Sequence, residues 1–258
     1  MKTLKVVKIG GKIIDDEIAL DLFLKDFANI KSPKILVHGG GKSASQLMEK
    51  MNIEVKMTNG RRITDADTLD IVTMVYAGRI NKNITAKLQA NKCNAMGFSG
   101  VDANTIVATK RPVADVDFGF VGDVSKVNTR ILNLLLEHSI TPVFCAITHD
   151  ENGQLLNTNA DTIASELAGA FAKQRKTELY YCFEKNGVLR DVNNDDSVIE
   201  LINTKNYQKL IEEQVINDGM LPKLINCFNA IKMNVSKVCI GKSNMLFDTK
   251  SKFTTIQK

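Results

Sequence analysis

Short runs of β-branched and aliphatic residues alternate with stretches of helical periodicity along almost the whole chain. Strands separated by helices do not pair as tight hairpins. They pair in parallel, with helices covering both faces of the sheet. Leu4 to Ile9 reads as a first strand, followed by a helix over Asp15 to Asn29 with Ile18, Leu22 and Phe27 at helical spacing. Lys34 to Val37 reads as a second strand and Ser43 to Met51 as a second helix. Thr64 to Asn91 is one long helical stretch with an acidic first turn, as a helix start prefers.

The rhythm continues with a helix over Asn128 to His138, a strand over Pro142 to Ile147 and a helix over Ala160 to Phe171. Strands over Glu178 to Phe183 and Lys237 to Ile240 bracket helices over Lys205 to Glu213 and Met220 to Met233. No clear strand shows between Ile53 and Thr64. The expectation is an α/β protein with a mainly parallel central sheet. The polar run from Lys173 to Thr177 marks the expected junction between an N-terminal lobe, residues 1–175, and a C-terminal lobe, residues 176–258.

Composition narrows the partners. A net charge of +5 with scattered basic residues suits a small anionic ligand and gives no basic stripe for nucleic acid. Cys93, Cys145, Cys182, Cys227 and Cys239 are odd in number and lack a C-x-x-C pair, so they read as reduced thiols, not as a disulfide framework or zinc site. His38, His138 and His149 are too dispersed for a ligand set. No signal peptide is visible, and no apolar stretch reaches the roughly 18 residues of a membrane span. These features lead us to expect a cytoplasmic globular protein.

Two glycine clusters directly follow expected strands: Gly10-Gly11, and Gly39-Gly40-Gly41. Glycine lets backbone N–H groups approach a ligand closely, and a helix start behind it adds partial positive charge. Both clusters fall at carboxyl ends of parallel strands, where open α/β sheets bind ligands. A tight turn without a ligand would explain either cluster alone equally well, but two such clusters, with Lys8 and Lys12 flanking the first, favour an anion site. Gly39 to Ser43 imitates the end of a P-loop, yet Leu36 stands where that motif needs glycine. Through Ala44 the run also fits a dinucleotide fingerprint, but the acidic residue closing a following strand is missing.

Five motifs then occur in order: Lys8-Ile9-Gly10-Gly11, His38-Gly39-Gly40-Gly41, Asn59-Gly60-Arg61-Arg62-Ile63-Thr64, Asn157-Thr158-Asn159-Ala160-Asp161 and Asp218-Gly219-Met220-Leu221-Pro222-Lys223. Together, over residues 4 to about 240, they resemble the amino acid kinase family, on its branch acting on N-acylated glutamate. The resemblance implies a three-layer α/β/α sandwich. Its N-terminal lobe would bind the acylated amino acid and form a homodimer, and its C-terminal lobe would bind nucleotide. It also implies transfer of the γ-phosphate of ATP to the γ-carboxylate of N-acetyl-L-glutamate in arginine biosynthesis, with Mg²⁺ carried on the nucleotide. Because the first strand starts near Leu4, an N-terminal hexamer-forming helix and arginine feedback are not expected.

The resemblance assigns roles residue by residue. Lys8 and Lys223 would neutralise charge on the transferring phosphoryl group and the leaving phosphate, and Asp161 would hold both lysines. Read from the residues alone, Lys223 fits a solvated surface lysine, and Asp161 an acid favouring a helix start. Arg62 and Asn157 would bind the substrate α-carboxylate, with Arg61 left to surface contacts. Backbone N–H groups of Gly40 and Gly41 would hold the γ-carboxylate; Gly11 would meet the phosphoryl group, and Gly10 would shape the phosphate-binding turn. Glu184, Lys185, Asn186, Gly187, Val188 and Leu189 occupy the family's nucleotide loop. There Phe183 departs from the family's small hydroxyl residue and Glu184 from its aspartate, while Ser251 to Lys258 lacks its usual Gly-Thr ending.

Three other readings remain open in the sequence. One keeps the chemistry and takes N-succinyl-L-glutamate; Arg61, Lys12 or the run Asn81-Lys82-Asn83 could supply the extra cation. A second is a non-catalytic ligand sensor on the same fold, against which the retention of Lys8, Asp161 and Lys223 argues. The third, a dinucleotide-dependent oxidoreductase, rests only on the glycine fingerprint.

Overall fold

The structure, a computed structural model, describes residues 2–58, 60–213, 215–216, 220–248 and 250–258. Asn59, Asp218 and Gly219, which belong to two of the five motifs, lie outside the described residues. The strands of the first half are β1 (Leu4–Ile9), β2 (Lys34–His38), β3 (Met57–Thr58), β4 (Arg61–Arg62), β5 (Ala95–Phe98), β6 (Ile106–Lys110) and β7 (Gly122–Val127). Those of the second half are β8 (Thr141–Phe144), β9 (Ile147–His149), β10 (Leu155–Asn157), β11 (Thr177–Cys182), β12 (Leu201–Ile202), β13 (Lys237–Gly241) and β14 (Thr254–Ile256). The α-helices begin with α1 (Gly11–Asp15), α2 (Glu17–Ala28), α3 (Gly41–Lys50), α4 (Ala66–Thr73) and α5 (Asn81–Ala90). They continue with α6 (Arg130–Glu137), α7 (Ala160–Ala172), α8 (Thr204–Glu212) and α9 (Leu221–Lys232).

Eight strands form the central sheet in the order β12-β14-β13-β11-β1-β2-β8-β5. Its neighbours pair in parallel except β13 with β14. Because helices cover both faces, its inner strands read as continuous apolar runs: every residue of β2 is buried, as are Leu4, Val6, Val7 and Ile9 of β1. β1 sits between β2 and β11, so the chain winds away from it in both directions. Such a switch point is where open α/β sheets bind ligands, beyond the carboxyl ends of the strands. The sheet crosses the expected lobe junction without a break, since β1 pairs with β11 from Leu4↔Thr177 to Ile9↔Cys182. One hydrophobic core holds residues from both sides of it, Val6 and Leu179 among them.

Several elements differ from the sequence reading, each for a local reason. In α2 the inward face is Leu20, Phe23, Leu24 and Phe27, whereas Ile18 and Leu22 are 75% and 60% exposed. Asp16 caps this helix through the Ala19 N–H, which sets its start and hence the face it buries. The stretch from Thr64 to Asn91 is α4 and α5 joined by a π-helical segment, Met74–Ile80. The strand expected over Pro142 to Ile147 is split into β8 and β9. A second sheet, β10-β9-β6-β7, lies beside the first, and β3 and β4 form a two-residue ladder within the stretch where no strand was expected. Among the described residues no helix is long and apolar enough to cross a membrane.

Candidate active site

The site is built on the carboxyl edge of β1. Lys8 precedes the last residue of that strand, so its side chain emerges where the sheet opens into the Gly10-Gly11 turn. There its ammonium lies 2.7 Å from Oδ1 of Asp161, in the first turn of α7. Lys223, in the first turn of α9, approaches the other oxygen of the same carboxylate at 3.3 Å. The three side chains keep only 13%, 17% and 17% of their surface exposed (Lys8, Asp161 and Lys223), and Oδ1 itself is sealed from solvent. Burial on its own would push the Asp161 carboxyl up, but the ammonium groups of Lys8 and Lys223 outweigh it and hold the carboxyl at about 2. One buried carboxylate thus faces two cations, which leaves an excess of positive charge at the sheet edge.

Asp161 is placed by its neighbours in sequence. Asn159 caps α7, its side-chain oxygen accepting from the Asp161 and Thr162 N–H groups at 2.8 and 3.2 Å. Tyr181 of β11 donates its hydroxyl to the Asp161 carbonyl at 2.9 Å. Asn159 was not assigned this part from the sequence, although an asparagine just before an apolar helical run is a helix-start signal that could have found it. Tyr181 carries no such signal, because nothing local ties β11 to α7.

The helix starts fall into two groups. Asp16, Asp65, Asn159 and Asn203 cap α2, α4, α7 and α8 with their side chains. No N-cap side chain closes the starts of α1, α3, α5, α6 and α9 among the described residues. The first two of these follow the glycine turns, so their first-turn N–H groups remain available to an anion. Gly39 abuts α7, a Cβ there falling 3.9 Å from Ala160 Cβ, so the second glycine turn touches the helix that carries Asp161. Gly40 has no room for a side chain: a Cβ would collide with Ile80 Cδ1 and come within 2.8 Å of Tyr76 Cδ1. Both partners belong to the π-helical segment, a distortion that recurs at functional sites.

Beneath that turn His38 is fully buried. Its Nδ1–H donates to the Gly39 carbonyl at 2.8 Å, and its Nε2 accepts from the Asn81 amide at 3.0 Å, which sets the tautomer. Asn81 also donates to the Val143 carbonyl at 2.8 Å. Burial lowers the imidazole to about 4, against a small opposing effect of the Gly39 hydrogen bond.

Arg62 is buried against α3, where it donates to the Gly41 carbonyl at 3.0 Å and to Ser45 Oγ at 2.7 Å. Arg61 beside it is exposed. Asn157, at the end of β10, donates to Thr64 Oγ1 at 3.0 Å, so Thr64 links it to the Arg62 strand. The structure therefore brings Lys8, Gly10, Gly11, Gly40, Gly41, Arg62, Asn157, Asp161 and Lys223 to the carboxyl edge of the central sheet and the turns around it.

The loop after β11 is arranged differently along its length. Glu184 reaches back to Lys12 at 3.5 Å. Lys185 pairs with Asp195 at 2.9 Å, and the Asn186 amide donates to the Asp195 carbonyl at 3.0 Å, so both side chains hold the 191–197 loop. Gly187 is pressed against Thr254 and Val198, while Val188 and Leu189 are buried in or against the core. Phe183 faces Lys223, with the ammonium 5.6 Å from its ring centroid and equally far from that of Tyr181.

A mainly parallel sheet that carries, at its carboxyl edge, one buried carboxylate shared by two lysines places the chain in the α/β class. The chain belongs to the amino acid kinase family, whose model matches residues 3–242. It is 55% identical to a Cytophaga hutchinsonii protein named acetylglutamate kinase, over 96% of this chain and 94% of that one. A Phocaeicola vulgatus protein of the same name is 54% identical over 92% of each chain. Among solved structures, a Streptococcus mutans UA159 protein superposes with a TM-score of 0.79 at 27% identity, covering 100% of this chain and 99% of its own.

Proposed function

We propose that the chain transfers the γ-phosphate of ATP to the γ-carboxylate of N-acetyl-L-glutamate, giving an acyl phosphate for arginine biosynthesis. The observation that carries this reading is the pair of lysines converging on Asp161 at 2.7 and 3.3 Å beside two glycine turns. The names and coverage of the relatives agree with it.

A carboxylate oxygen attacks the γ-phosphorus, the bond to the β,γ-bridging oxygen breaks, and ADP departs with that electron pair. The acceptor is already ionised at neutral pH, so no general base is required. The difficulty is the approach of two anions, and catalysis consists of positioning and neutralising them. Lys8 meets the transferring phosphoryl group, Lys223 meets the leaving β-phosphate, and Asp161 keeps the two ammonium groups from separating. Gly10 and Gly11 shape the phosphate turn, and Gly40 and Gly41 offer N–H groups to the γ-carboxylate. Arg62 and Asn157 take the α-carboxylate. Nucleotide contacts fall to Glu184 through Leu189; since Val188 and Leu189 turn their side chains inward, their share is made by backbone. Mg²⁺ would be carried on the nucleotide phosphates and would neutralise phosphate charge there; Asp161, engaged by two ammonium groups, is committed to the lysines.

In this reading residues 1–175 bind the acylglutamate and residues 176–258 the nucleotide. The enzyme works as a cytoplasmic homodimer. Acceptor-dependent ADP release tests the activity, with N-acetylglutamate and N-succinylglutamate measured side by side. Turnover favouring the acetyl compound supports the proposal; turnover only on the succinyl compound moves the acceptor, and ATP left intact with both defeats it.

A further inference from the structure

Successive side chains of an extended strand point to opposite faces, so Tyr181 and Phe183 project to the same side of β11 and of the residue that follows it. On that side lies the start of α9. The Lys223 ammonium is 5.6 Å from each of the two ring centroids, within reach of the negative faces of both rings. Its only ionic contact among the described residues is Asp161 at 3.3 Å, and that carboxylate has its closer partner in Lys8 at 2.7 Å.

The two rings are held differently. Tyr181 is fully buried and tied through its hydroxyl to the Asp161 carbonyl at 2.9 Å. Phe183 is partly buried, anchored by its N–H to the Gly241 carbonyl at 3.0 Å, and its Cβ lies 3.9 Å from where a Cβ on Gly10 would stand. Its side chain thus fills the space between the first glycine turn and the helix that supplies Lys223.

We propose that Phe183 is a positioning residue that, with Tyr181, forms an aromatic cradle holding the Lys223 ammonium in place for the transfer. This rests on the reading of Lys223 as the group that meets the leaving phosphate. A second carboxylate could also hold a lysine there, but it would occupy N–H donors and cancel the charge that the reaction uses. A ring face attracts the cation without accepting a directed hydrogen bond, so the N–H groups stay free for phosphate oxygens. An aromatic residue at position 183 therefore suits a site in which two lysines share one acid.

The test compares Phe183→Leu, Phe183→Tyr, Lys223→Ala and the Phe183→Leu/Lys223→Ala double variant under saturating ATP and acylglutamate. Phe183→Leu keeps an apolar side chain without a ring face and lowers kcat about three- to tenfold, with the acylglutamate KM within about twofold. Phe183→Tyr restores the rate. In the Lys223→Ala background Phe183→Leu costs nothing further, because its target is gone. An independent readout is the NMR signal of the Lys223 ε-methylene, assigned by its loss in Lys223→Ala. Ring currents shift it upfield in the natural protein, and the shift shrinks in Phe183→Leu.

Equal losses in both backgrounds, or an unmoved ε-methylene signal, overturn the cradle. Full turnover by Lys223→Ala removes the role of Lys223 and the proposal with it. Loss of turnover by Lys223→Ala with full turnover by Phe183→Leu overturns the role of Phe183 alone.

Discussion

The Lys8 ammonium lies 2.7 Å from an Asp161 oxygen that is sealed from solvent, joining the carboxyl end of the central strand β1 to the first turn of α7. Lys223 meets the same carboxylate from α9, so one acid holds together three elements drawn from distant parts of the chain. Asp161→Asn keeps the shape and removes the charge. The two ammonium groups then repel one another at short range. We expect kcat to fall at least about a hundredfold, with substrate KM values changed much less. Steady-state kinetics check this, and a variant with intact kcat would contradict it.

The low position of the Asp161 carboxyl also has a pH consequence. Its folded value of about 2 lies below the ordinary 3.8, so between these values the unfolded chain binds the extra proton. The contribution of Asp161 to stability is complete above about pH 4 and is lost as pH falls toward 2. Denaturation measured across that window should show a slope that is shallower in Asp161→Asn, with Asp65, Asp150 and Asp195, also lowered, supplying the remainder.

His38 acts in a different window. Buried and neutral, it is lowered to about 4 from an ordinary 6.5. Between those values the unfolded chain carries a proton that the folded one refuses, so stability falls as pH drops from 6.5 to about 4. The loss amounts to about 3 kcal/mol when complete. Denaturant titrations at pH 7, 5 and 4 would show it, and His38→Gln should flatten the curve over this range.

Gly40→Ala tests the second glycine turn. The added methyl group would collide with the Ile80 and Tyr76 side chains, so these side chains or the turn must shift. We expect the acylglutamate KM to rise by about tenfold or more while the ATP KM holds, because the proposed function assigns the γ-carboxylate, and not the nucleotide, to this turn. Separate substrate titrations distinguish the two.

Lys34 supplies a test of stability away from the site. Its buried ammonium donates to the carbonyls of Phe27, Ala28 and Ile30 at 2.8, 2.8 and 2.9 Å, closing the carboxyl end of α2. Lys34→Met removes a donor from each of these carbonyls, of which Phe27 keeps the Ile30 N–H, and should destabilise the fold by about 2–4 kcal/mol, with kcat unchanged below the melting range. Paired denaturant and rate measurements check both halves.

The central sheet was legible because β1, β2, β8, β11 and β13 are buried on both faces and stand out as apolar runs. The second sheet was not, since β6 and β7 are half exposed and β9 and β10 are only three residues long. The π-helical segment keeps enough helical periodicity to pass for α-helix, and its contact with Gly40 exists only in three dimensions. Lys8, Asp161 and Lys223 could be singled out through the five motifs, and the resemblance implied that Asp161 holds both lysines; the residues alone did not, because that sharing depends on how α7 and α9 start at the same sheet edge. Tyr181 and Phe183 were visible as parts of a strand-like run. Their place against Lys223 was not, because α9 lies far along the chain.

The most direct measurement traps the product. Protein incubated with ATP, Mg²⁺, N-acetylglutamate and hydroxylamine should yield a hydroxamate, which reports an acyl phosphate, and Lys8→Ala should form it far more slowly. Absence of hydroxamate with both N-acetylglutamate and N-succinylglutamate would contradict the account.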